Sequence, residues 1–558
     1  MTATDTYLLL RAFCDELARS GMEHACTSPG SRCTPIVLSL VRNPRVRSWS
    51  HLDERCAGFF ALGAAKASGR PVAVICTSGT AAANLAPAVI EARWGRVPLI
   101  ILTADRPPEL RDVGAGQTID QLKLYGDAVK WFLEVGVHEA TPERLRWIRT
   151  LACRAYATAA AHPAGPVHLN FPLREPLVPD EPLPDDDTGR AGEQPYVIVE
   201  PSQFAAAAEG PGPHPSGRMV IVAGADTPEP ARVAAFAERA GIPLLADPLS
   251  GARAGDAAIA HYDLLLRGPE LTSSWRPQFV FRLGDVPTSK PLRAWLAGLT
   301  DAAQIAFDPF GAWQDPDSVV GMRLRSSLPQ PEELSVEAGW LEAWQAADRA
   351  AAGAVDHALG DELSEPLVAR RLGAWLGPEV TLFVASSMPI RDVESFLPTG
   401  AEPPRVLANR GANGIDGTVS SAFGVAATGA PTVLLVGDVA VAHDIGGLLA
   451  ATRHGLPLTI VLLNNDGGGI FHFLPVAAQR DAFEEHIATP HGLDFERVAE
   501  LYGCGYERPR EIAGLQAAVE RSLASGGSTI IEVRTNREEN LELHRQIADA
   551  VSARVTRP

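Results

Sequence analysis

Short apolar runs alternate with segments of helical periodicity along most of the chain. Continuous runs of Val, Ile and Leu are typical of strands buried on both faces of a parallel sheet, and apolar residues at helical spacing predict the helices that cover it. The alternation predicts an α/β fold with three consecutive domains, each a mainly parallel sheet flanked by helices. The expected domains span residues 1–185, 218–330 and 335–558, with an acidic, Pro-rich linker at 186–217.

The same runs predict the elements of each domain. In the first domain we expect strands at 24–27, 47–51, 72–76, 99–103 and 167–170, and helices at 57–68 and 81–90. In the middle domain we expect strands at 218–224, 242–247 and 279–283 and a helix near 230–240. In the third we expect helices within 336–376, strands at 381–384, 406–408, 432–436 and 458–463, a helix at 443–454, an edge strand at 528–533 and a terminal helix at 536–555.

Polar residues after two neighbouring strands of the third domain are suited to a metal ion. Asp438 follows the strand at 432–436, and Asn464-Asn465-Asp466-Gly467 follows the strand at 458–463. Because ligands bind at the carboxyl ends of strands in open α/β sheets, these groups should share one crevice. A carboxylate, an amide oxygen and a backbone carbonyl suit Mg²⁺, and Gly467-Gly468-Gly469 allows close approach of a phosphate. The stretch predicts a metal-held diphosphate, with an ordinary βαβ unit as the alternative.

Composition narrows the classes of function. The 558 residues exceed what one core holds, and 46% hydrophobic with 21% charged residues is typical of globular proteins. A net charge of −18 argues against a nucleic-acid binder, which needs a basic face. No apolar run reaches the roughly 18 to 20 residues of a membrane span, and no basic leader is present, so a cytoplasmic protein without membrane contact is predicted. The seven cysteines lack CxxC spacing, which favours buried thiols.

Several strand ends carry groups that can bind anions or cap helices. Ser28-Pro29-Gly30-Ser31-Arg32 follows the first predicted strand and precedes a helix, an arrangement that favours an anion. Asp53-Glu54-Arg55 begins another helix, where acidic residues are commonly simple caps. The further candidates, which all follow predicted strands, are Thr77, Arg106, Gln117, Lys290, Arg391 and Arg410. Each taken alone is equally consistent with a structural or solvated side chain.

The order of these pieces resembles one enzyme family. Gly437-Asp438, followed 27 residues after the Asp by Asn465, resembles the motif of thiamine diphosphate enzymes, with Val439 where the motif usually has glycine. The stretches SPGSR, HLDER, TADRPPEL, GAGQTIDQ, NRGANGIDG and NNDGGGIF resemble the menaquinone-branch synthases that make 2-succinyl-5-enolpyruvyl-6-hydroxy-3-cyclohexene-1-carboxylate. The resemblance covers the first and third domains almost throughout. It implies that the first binds the pyrimidine of thiamine diphosphate and the third its diphosphate and a metal ion, Mg²⁺ or Mn²⁺.

The resemblance also implies a role for each candidate residue. Glu54 would bind N1′ of the aminopyrimidine and thereby activate the cofactor, and Asp438, Asn465 and the Gly467 carbonyl would hold the metal. Other cofactor contacts are expected from Ser28, Pro29, Gly30, Thr77, Met388, Ile415, Gly437, Gly468 and Ile470, with Ile415 as the wedge that bends the cofactor. Substrate contacts are expected from Ser31, Arg32, Arg106, Gln117, Lys290, Ser387, Arg391, Arg410 and Phe471. Among these, Gln117, Ser387 and Arg391 are also catalytic candidates.

The implied reaction is a carboligation of the transferase class. 2-Oxoglutarate is decarboxylated, and the succinyl carbanion adds to isochorismate in a conjugate addition. Both substrates are dicarboxylates, which guanidinium groups bind in bidentate fashion. A homodimer with shared active sites, paired into a homotetramer, and a regulatory site near Arg96 are also implied. The alternatives are another thiamine diphosphate-dependent 2-oxoacid decarboxylase or acetohydroxyacid synthase-like enzyme, and an inactive α/β binding protein.

Overall fold

The computed structural model describes residues 2–200, 215–326 and 328–555. The described residues form three larger parallel sheets and one two-stranded sheet. They divide into two compact units. The first unit contains the described residues up to 200 together with 409–430 and 440–458, and the second contains the others.

The first sheet lies in the first unit. Its strands are β1 (His24–Thr27), β2 (Arg47–Ser50), β3 (Val72–Cys76), β4 (Leu99–Asp105), β5 (Trp131–Glu134) and β6 (Val167–Pro172). The helices are α1 (Ala3–Arg19), α2 (Thr34–Val41), α3 (Glu54–Ser68), α4 (Thr80–Asn84), α5 (Ala86–Trp94) and α6 (Pro142–Ala160). The strand order is β2-β1-β3-β4-β6-β5. The five predicted strands are confirmed, whereas the single helix predicted at 81–90 is wrong, because α4 ends and α5 begins around Leu85, just before Pro87.

The middle sheet belongs to the second unit. The strands of this region are β7 (Ser216–Gly217), β8 (Met219–Ala223), β9 (Leu244–Ala246), β10 (Phe279–Leu283), β11 (Ala303–Phe307), β12 (Met322–Leu324) and β13 (Ser335–Val336). The helices are α7 (Pro230–Ala240), α8 (Tyr262–Leu265), α9 (Pro269–Ser274) and α10 (Lys290–Gly298). The order is β12-β11-β10-β8-β9, and β7 pairs with β13. Part of the predicted linker, 201–214, lies outside the described residues, as do residue 327 of the middle domain and residues 556–558.

The third sheet also belongs to the second unit. Its strands are β14 (Thr381–Val384), β15 (Arg405–Ala408), β16 (Thr432–Gly437), β17 (Thr459–Asn464), β18 (Gly505–Glu507) and β19 (Thr529–Arg534), in the order β15-β14-β16-β17-β19-β18. The helices of this part of the chain are α11 (Trp340–Leu359), α12 (Glu365–Trp375), α13 (Met388–Phe396), α14 (Thr418–Ala426), α15 (Asp438–His443), α16 (Leu449–His454), α17 (Arg480–Phe483), α18 (Phe495–Tyr502), α19 (Ile512–Ser525) and α20 (Arg537–Arg554). Helices α14 and α16 fall in the first unit.

Two predictions for this region are wrong. The strand predicted at the edge of the sheet, β19, lies between β17 and β18. The helix predicted at 443–454 is interrupted by a 3₁₀ turn at Ile445–Leu448. The interruption has a tertiary cause, because Asp444 Oδ2 accepts a hydrogen bond from Ser420 N at 2.7 Å and Oδ1 accepts one from Ser420 Oγ at 3.0 Å. Gly447 lies so close to Ser420 that a Cβ on Gly447 would be 2.6 Å from Ser420 Oγ.

The cysteines agree with the buried thiols expected from the sequence. All seven cysteines are free, and only Cys504 is partly exposed. Within the part of the chain that the structure describes, no helix combines the length and the apolar character that crossing a bilayer requires.

His168 on β6 is a buried neutral histidine in the first sheet. Thr103 Oγ1 donates its proton to Asn170 Oδ1 at 2.8 Å, so it accepts from His168 Nε2 at 2.7 Å. The ring packs between Tyr125 and Phe132, and Nδ1 is buried without a hydrogen-bond partner. A proton on Nδ1 would place a charge where no acceptor faces it, and burial lowers the pKa of His168 to about 3.

We expect this histidine to make stability depend on pH. Its pKa in the unfolded chain is about 6.5, so between that value and the folded pKa the unfolded state binds more protons. The contribution of the neutral histidine to the free energy of unfolding is therefore fully present above about pH 6.5. Below that value the free energy of unfolding falls as the pH drops, by up to about 1.4 kcal/mol per pH unit. Urea unfolding midpoints at pH 7 and pH 5 should differ less in His168→Gln than in the wild type. An equal difference in the two proteins contradicts the assignment.

Candidate active site

The ends of β16 and β17 meet at the predicted metal site. The two strands are adjacent and parallel, so Asp438 and the turn that begins at Asn465 leave the sheet side by side. Gly467 N donates a hydrogen bond to Asp438 Oδ2 at 2.9 Å, and Val439 N donates to Oδ1 at 2.8 Å. Asp438 is only 2% exposed, and this burial raises the pKa of its carboxyl above the usual value. A nearby cation would favour the charged form of this carboxylate.

Asn465 presents an uncommitted oxygen in the same turn. Its Nδ2 donates a hydrogen bond to Glu365 Oε1 at 2.8 Å, whereas its Oδ1 is buried without a hydrogen-bond partner. A buried polar atom without a partner is unfavourable unless a ligand satisfies it. Gly467 has a φ of 144°, and a Cβ on it would lie 2.6 Å from Ala488 O, so the turn requires glycine there. The donor set therefore fits a hard cation that takes oxygen ligands.

Two partners of this turn lack any signal in the sequence. Glu365, the first residue of α12, is 1% exposed and also accepts from Thr535 Oγ1 at 2.9 Å. Burial, and after it the charge of Asp392, raise the pKa of Glu365 to about 7. His491 Nε2 lies 3.2 Å from Asp438 Oδ2. Within the described residues, no three His, Cys, Asp or Glu side chains converge on one point, and the predicted metal set contains one such residue.

The turn after β14 holds three further candidates. Ser387 adopts a φ of 74° and a ψ of −131°, a conformation that is rare for residues other than glycine. Arg391 folds back on the first turn of α13 and donates from Nη1 to the Ser387 carbonyl. Burial lowers the pKa of Arg391. Met388 begins α13 and is 5% exposed. Local contacts therefore fix this turn against α13.

The loops after β1 and β3 approach each other closely in the first unit. A Cβ on Gly30 would lie 2.3 Å from Thr77 Cβ, so glycine is needed for the approach. Ser28 is 2% exposed, and its Oγ is buried without a partner. Pro29 and Ser31 are exposed on the same loop. The structure thus brings together the candidates from these two loops.

Gln117 and Arg106 meet at Ser78, which the sequence did not single out. Gln117 Nε2 donates to Ser78 O at 2.9 Å, and Ser78 Oγ donates to Gln117 O at 2.8 Å. Arg106 Nη1 donates to Ser78 Oγ. Gln117 has a φ of 57°, which the two hydrogen bonds with Ser78 help to hold. The end of β3 therefore positions two predicted substrate residues from other loops.

Arg32 lies near Arg106. Burial and then the charge of Arg32 lower the pKa of Arg106. Arg32 is 7% exposed, donates to Leu173 O at 2.8 Å and pairs with Glu175 at 3.1 Å, while its Nε is buried without a partner. The Glu175 side chain is 73% exposed, so water screens this ion pair. Two neighbouring guanidinium groups with one exposed acid favour an anionic ligand.

Glu54 is the first residue of α3 and is partly exposed. The preceding Asp53 caps the helix by accepting a hydrogen bond from Arg55 N at 2.8 Å, so Glu54 is not needed for that role.

Helix α3 packs tightly on α14. A Cβ on Gly63 would lie 1.9 Å from Ser421 O, and one on Gly424 would lie 2.0 Å from Phe60 O. The close packing fixes both helices, and the loop that carries Arg410 and Ile415 leads into α14.

Glu91 of α5 holds that loop and was missed in the sequence. It is 3% exposed and accepts hydrogen bonds from Gly411 N at 2.7 Å and Ala412 N at 2.6 Å. Charge-assisted bonds of this kind are stronger than neutral ones. Arg410 and Ile415 flank the bonded residues, so Glu91 positions the segment that contains both.

Four further candidates lie at three other places in the chain. Lys290 is exposed at the start of α10 on the middle sheet, and among the described residues no hydrogen bond or ion pair joins it to another predicted site residue. Ile470 and Phe471 are partly exposed, and the Phe471 ring lies against Gly468, where a Cβ would approach to 2.6 Å. Arg96 has a φ of 50° beyond the end of α5.

Family models match all three parts of the chain. The model described as "Thiamine pyrophosphate enzyme, N-terminal TPP binding domain" matches residues 9–124. "Middle domain of thiamine pyrophosphate" matches 192–384, and "Thiamine pyrophosphate enzyme, C-terminal TPP binding domain" matches 393–533. The predicted fold class, with thiamine-binding domains first and third, is confirmed.

Curated relatives match almost the full chain, and each is named 2-succinyl-5-enolpyruvyl-6-hydroxy-3-cyclohexene-1-carboxylate synthase. The protein from Geobacillus thermodenitrificans is 44% identical over 98% of this chain and 96% of its own length. Those from Geobacillus kaustophilus and Chloroflexus aurantiacus are also 44% identical, over 98% and 97% of this chain and 98% and 95% of their own lengths. The chain therefore belongs to the 2-succinyl-5-enolpyruvyl-6-hydroxy-3-cyclohexene-1-carboxylate synthase family of thiamine pyrophosphate enzymes.

Proposed function

We propose that this protein decarboxylates 2-oxoglutarate and adds the succinyl unit to isochorismate, releasing CO₂ and forming 2-succinyl-5-enolpyruvyl-6-hydroxy-3-cyclohexene-1-carboxylate in menaquinone biosynthesis. The observation that carries the proposal is the 44% identity, over 98% of the chain, to a synthase named for that product. The arrangement of the candidate residues supports it.

The metal is assigned to the turn after β17. Asp438 supplies a buried carboxylate, Asn465 supplies the amide oxygen that has no protein partner, and Gly467 supplies a backbone carbonyl. Oxygen donors of this kind suit Mg²⁺ or Mn²⁺. Gly467 N already donates to Asp438 and Gly468 N to Ala488 O, so the diphosphate would meet these glycines through the close approach of a backbone without side chains and not through these two amides. Gly437 would line the same site.

When bound, thiamine diphosphate supplies the electron sink for decarboxylation. The Glu54 carboxylate would accept a hydrogen bond from the N1′–H of the imino tautomer of the pyrimidine and would thereby favour that tautomer. Met388 would offer a backbone contact to the pyrimidine, and Ile415 an apolar support for the bent cofactor. Ser28, Pro29, Gly30, Thr77 and Ile470 would complete the walls of the cofactor site.

The cationic residues would orient the two dicarboxylates. Arg32 and Arg106 are neighbours and share one exposed acid, so a substrate carboxylate gains two guanidinium partners. Gln117, held against Ser78, would offer its amide close to Arg106. Ser31, Lys290, Ser387, Arg391, Arg410 and Phe471 are assigned to the substrates as well. Pairing between guanidinium groups and carboxylates fixes the orientation of the substrate and also adds affinity.

An assay with two substrates tests the reaction. We expect CO₂ and the succinylated product, identified by its mass, only when 2-oxoglutarate and isochorismate are both supplied with thiamine diphosphate and Mg²⁺. Turnover of pyruvate alone at a comparable rate would instead identify another thiamine-dependent 2-oxoacid enzyme. Failure of the protein to bind the cofactor would identify an inactive binding protein.

The assembly belongs to the same proposal. The family resemblance implies a homodimer with shared active sites and its pairing into a homotetramer. It also implies a cytoplasmic location and a regulatory role for Arg96. The domain limits at 1–185, 186–217, 218–330 and 335–558 likewise stay predictions.

A further inference from the structure

One face of α1 contributes to a cavity outside the predicted active site. Tyr7, Arg11, Asp15 and Arg19 follow one another at intervals of four residues, which places them on one side of the helix. With the end of α2 and the turn at 42–45, they enclose a cavity of about 370 Å³ in the first unit. None of its lining residues is assigned to the cofactor or the substrates.

Asp15 and Asp186, two acidic residues that line this cavity, are already paired with arginines. Asp15 pairs with Arg19 at 2.7 Å, with Arg149 at 2.9 Å and with Arg45. Asp186, which also lines the cavity, pairs with Arg149 at 2.7 Å. Asp15 and Asp186 therefore leave little negative potential to repel an anion, and the third acidic residue of the cavity, Glu193, is exposed to solvent that screens its charge.

Two arginines of the cavity lack an acidic partner. Among the described residues, Arg11 and Arg42 take part in no ion pair, and Arg11 Nε and Nη2 are buried without any hydrogen-bond acceptor. Burial raises the pKa of Tyr7 and the charge of Arg42 opposes that rise, which places Arg42 near the Tyr7 ring. The Tyr7 hydroxyl is committed, because it donates to Leu177 O at 2.9 Å. The buried nitrogens of Arg11 are unfavourable without an acceptor unless a ligand pairs with them, and the exposed Arg42 adds a second positive charge to the same cavity.

Two other polar residues that line the cavity, Ser39 and Asn43, already make hydrogen bonds elsewhere. Ser39 Oγ donates to Pro35 O at 2.7 Å, and Asn43 Oδ1 accepts from Arg45 N at 3.1 Å. The amide NH₂ of Asn43 therefore remains as a further donor. Apart from the exposed carboxylate of Glu193, which also lines the cavity, these uncommitted groups are donors, and they favour an anion.

We propose that this cavity binds a small oxyanion carrying at least two negative charges, held between Arg11 and Arg42. A phosphate or sulfate group and a short dicarboxylate share this chemistry. The site is independent of the proposed synthase reaction, since it shares no residue with it. In a chain of net charge −18, such binding depends on this local pair of arginines and not on a general attraction of anions.

Equilibrium dialysis with radioactive sulfate tests the site in the full-length protein loaded with thiamine diphosphate and Mg²⁺. We expect the wild type to bind one more sulfate per chain than the variant with Arg11→Gln and Arg42→Gln, or to bind it at least roughly tenfold more tightly, since two charge-assisted contacts are removed. Arg146→Gln is the control, because Arg146 is an exposed arginine of the same unit that pairs only with Glu143. Malonate should displace the extra sulfate if dicarboxylates are accepted, and should leave it if only tetrahedral anions fit.

A second measurement covers the case in which the double variant does not fold. Crystals of the wild type soaked in selenate should show an anomalous peak between Arg11 and Arg42. Absence of that peak, or equal sulfate binding by the wild type and a folded double variant, would overturn the proposal. Equal binding together with a changed sedimentation coefficient would show instead that the two arginines pair with another copy of the chain.

Discussion

Glu54→Gln is expected to leave the protein folded and to lower turnover roughly a hundredfold or more, within the range that a positioned acid or base contributes. The change keeps the size of the side chain and removes its charge, so the contact to N1′ of the pyrimidine no longer favours the reactive tautomer. Helix α3 should persist, because Asp53 and not Glu54 caps it. Turnover with both substrates at saturating cofactor, together with circular dichroism, measures the two effects separately.

Glu143→Gln is the matched control for this variant. Glu143 lies in the first turn of α6, as Glu54 lies in the first turn of α3, and it is exposed. A carboxylate in the first turn interacts favourably with the helix dipole, so both variants lose that small effect. Only Glu54→Gln should lose activity. Activity close to that of the wild type in Glu54→Gln would remove the proposed role, and an equal loss in Glu143→Gln would attribute it to the helix.

The strands that the sequence predicted are those with continuous apolar runs. β3 and β4 are buried along their full length, and such runs have few alternative structures. Among the strands that were missed, β5 and β18 are short and lie at sheet edges, and none of their residues is fully buried, whereas β11 is internal to the middle sheet and buried at four of its five residues. Half-exposed edge strands are set by pairing with their neighbours, which a local pattern does not contain. The misplaced edge at β19 has the same origin, because β18 was not recognised.

The candidate site also contains residues that the sequence predicted and residues that it missed. Asp438 and Gly467 belong to neighbouring strand ends, so the order of the strands alone predicted that they meet. Glu91 looks like a surface residue of a helix, and its burial depends on Gly411 and Ala412, some 320 residues later in the chain. Glu365 likewise reaches Asn465 across 100 residues. Contacts of this kind have no spacing that a single sequence can reveal, whereas the residues of a compact loop do.

Asp438→Asn is expected to weaken the Mg²⁺-dependent binding of thiamine diphosphate roughly a hundredfold or more, since even residues that only orient a metal ligand contribute ten- to a hundredfold. The variant keeps the volume of the side chain but only one oxygen, so it loses one of the two hydrogen bonds from Val439 N and Gly467 N, and circular dichroism checks that the protein remains folded. It also loses the charge, and a single carboxylate supplies all of the negative charge in the proposed metal set. Quenching of tryptophan fluorescence, titrated with Mg²⁺ at fixed cofactor and without substrate, measures the effect independently of turnover.

Asp466→Asn provides the matched control within the same turn. Asp466 Oδ1 accepts from His491 N at 3.2 Å and from Gly492 N at 2.9 Å, so its carboxylate has a structural use in the loop. Its φ of 57° suits asparagine as well as aspartate. The control removes one negative charge from the same turn. A general electrostatic effect would therefore weaken the binding of Mg²⁺ equally in both variants. A loss confined to Asp438→Asn identifies coordination, because only a ligand requires the charge at that particular oxygen.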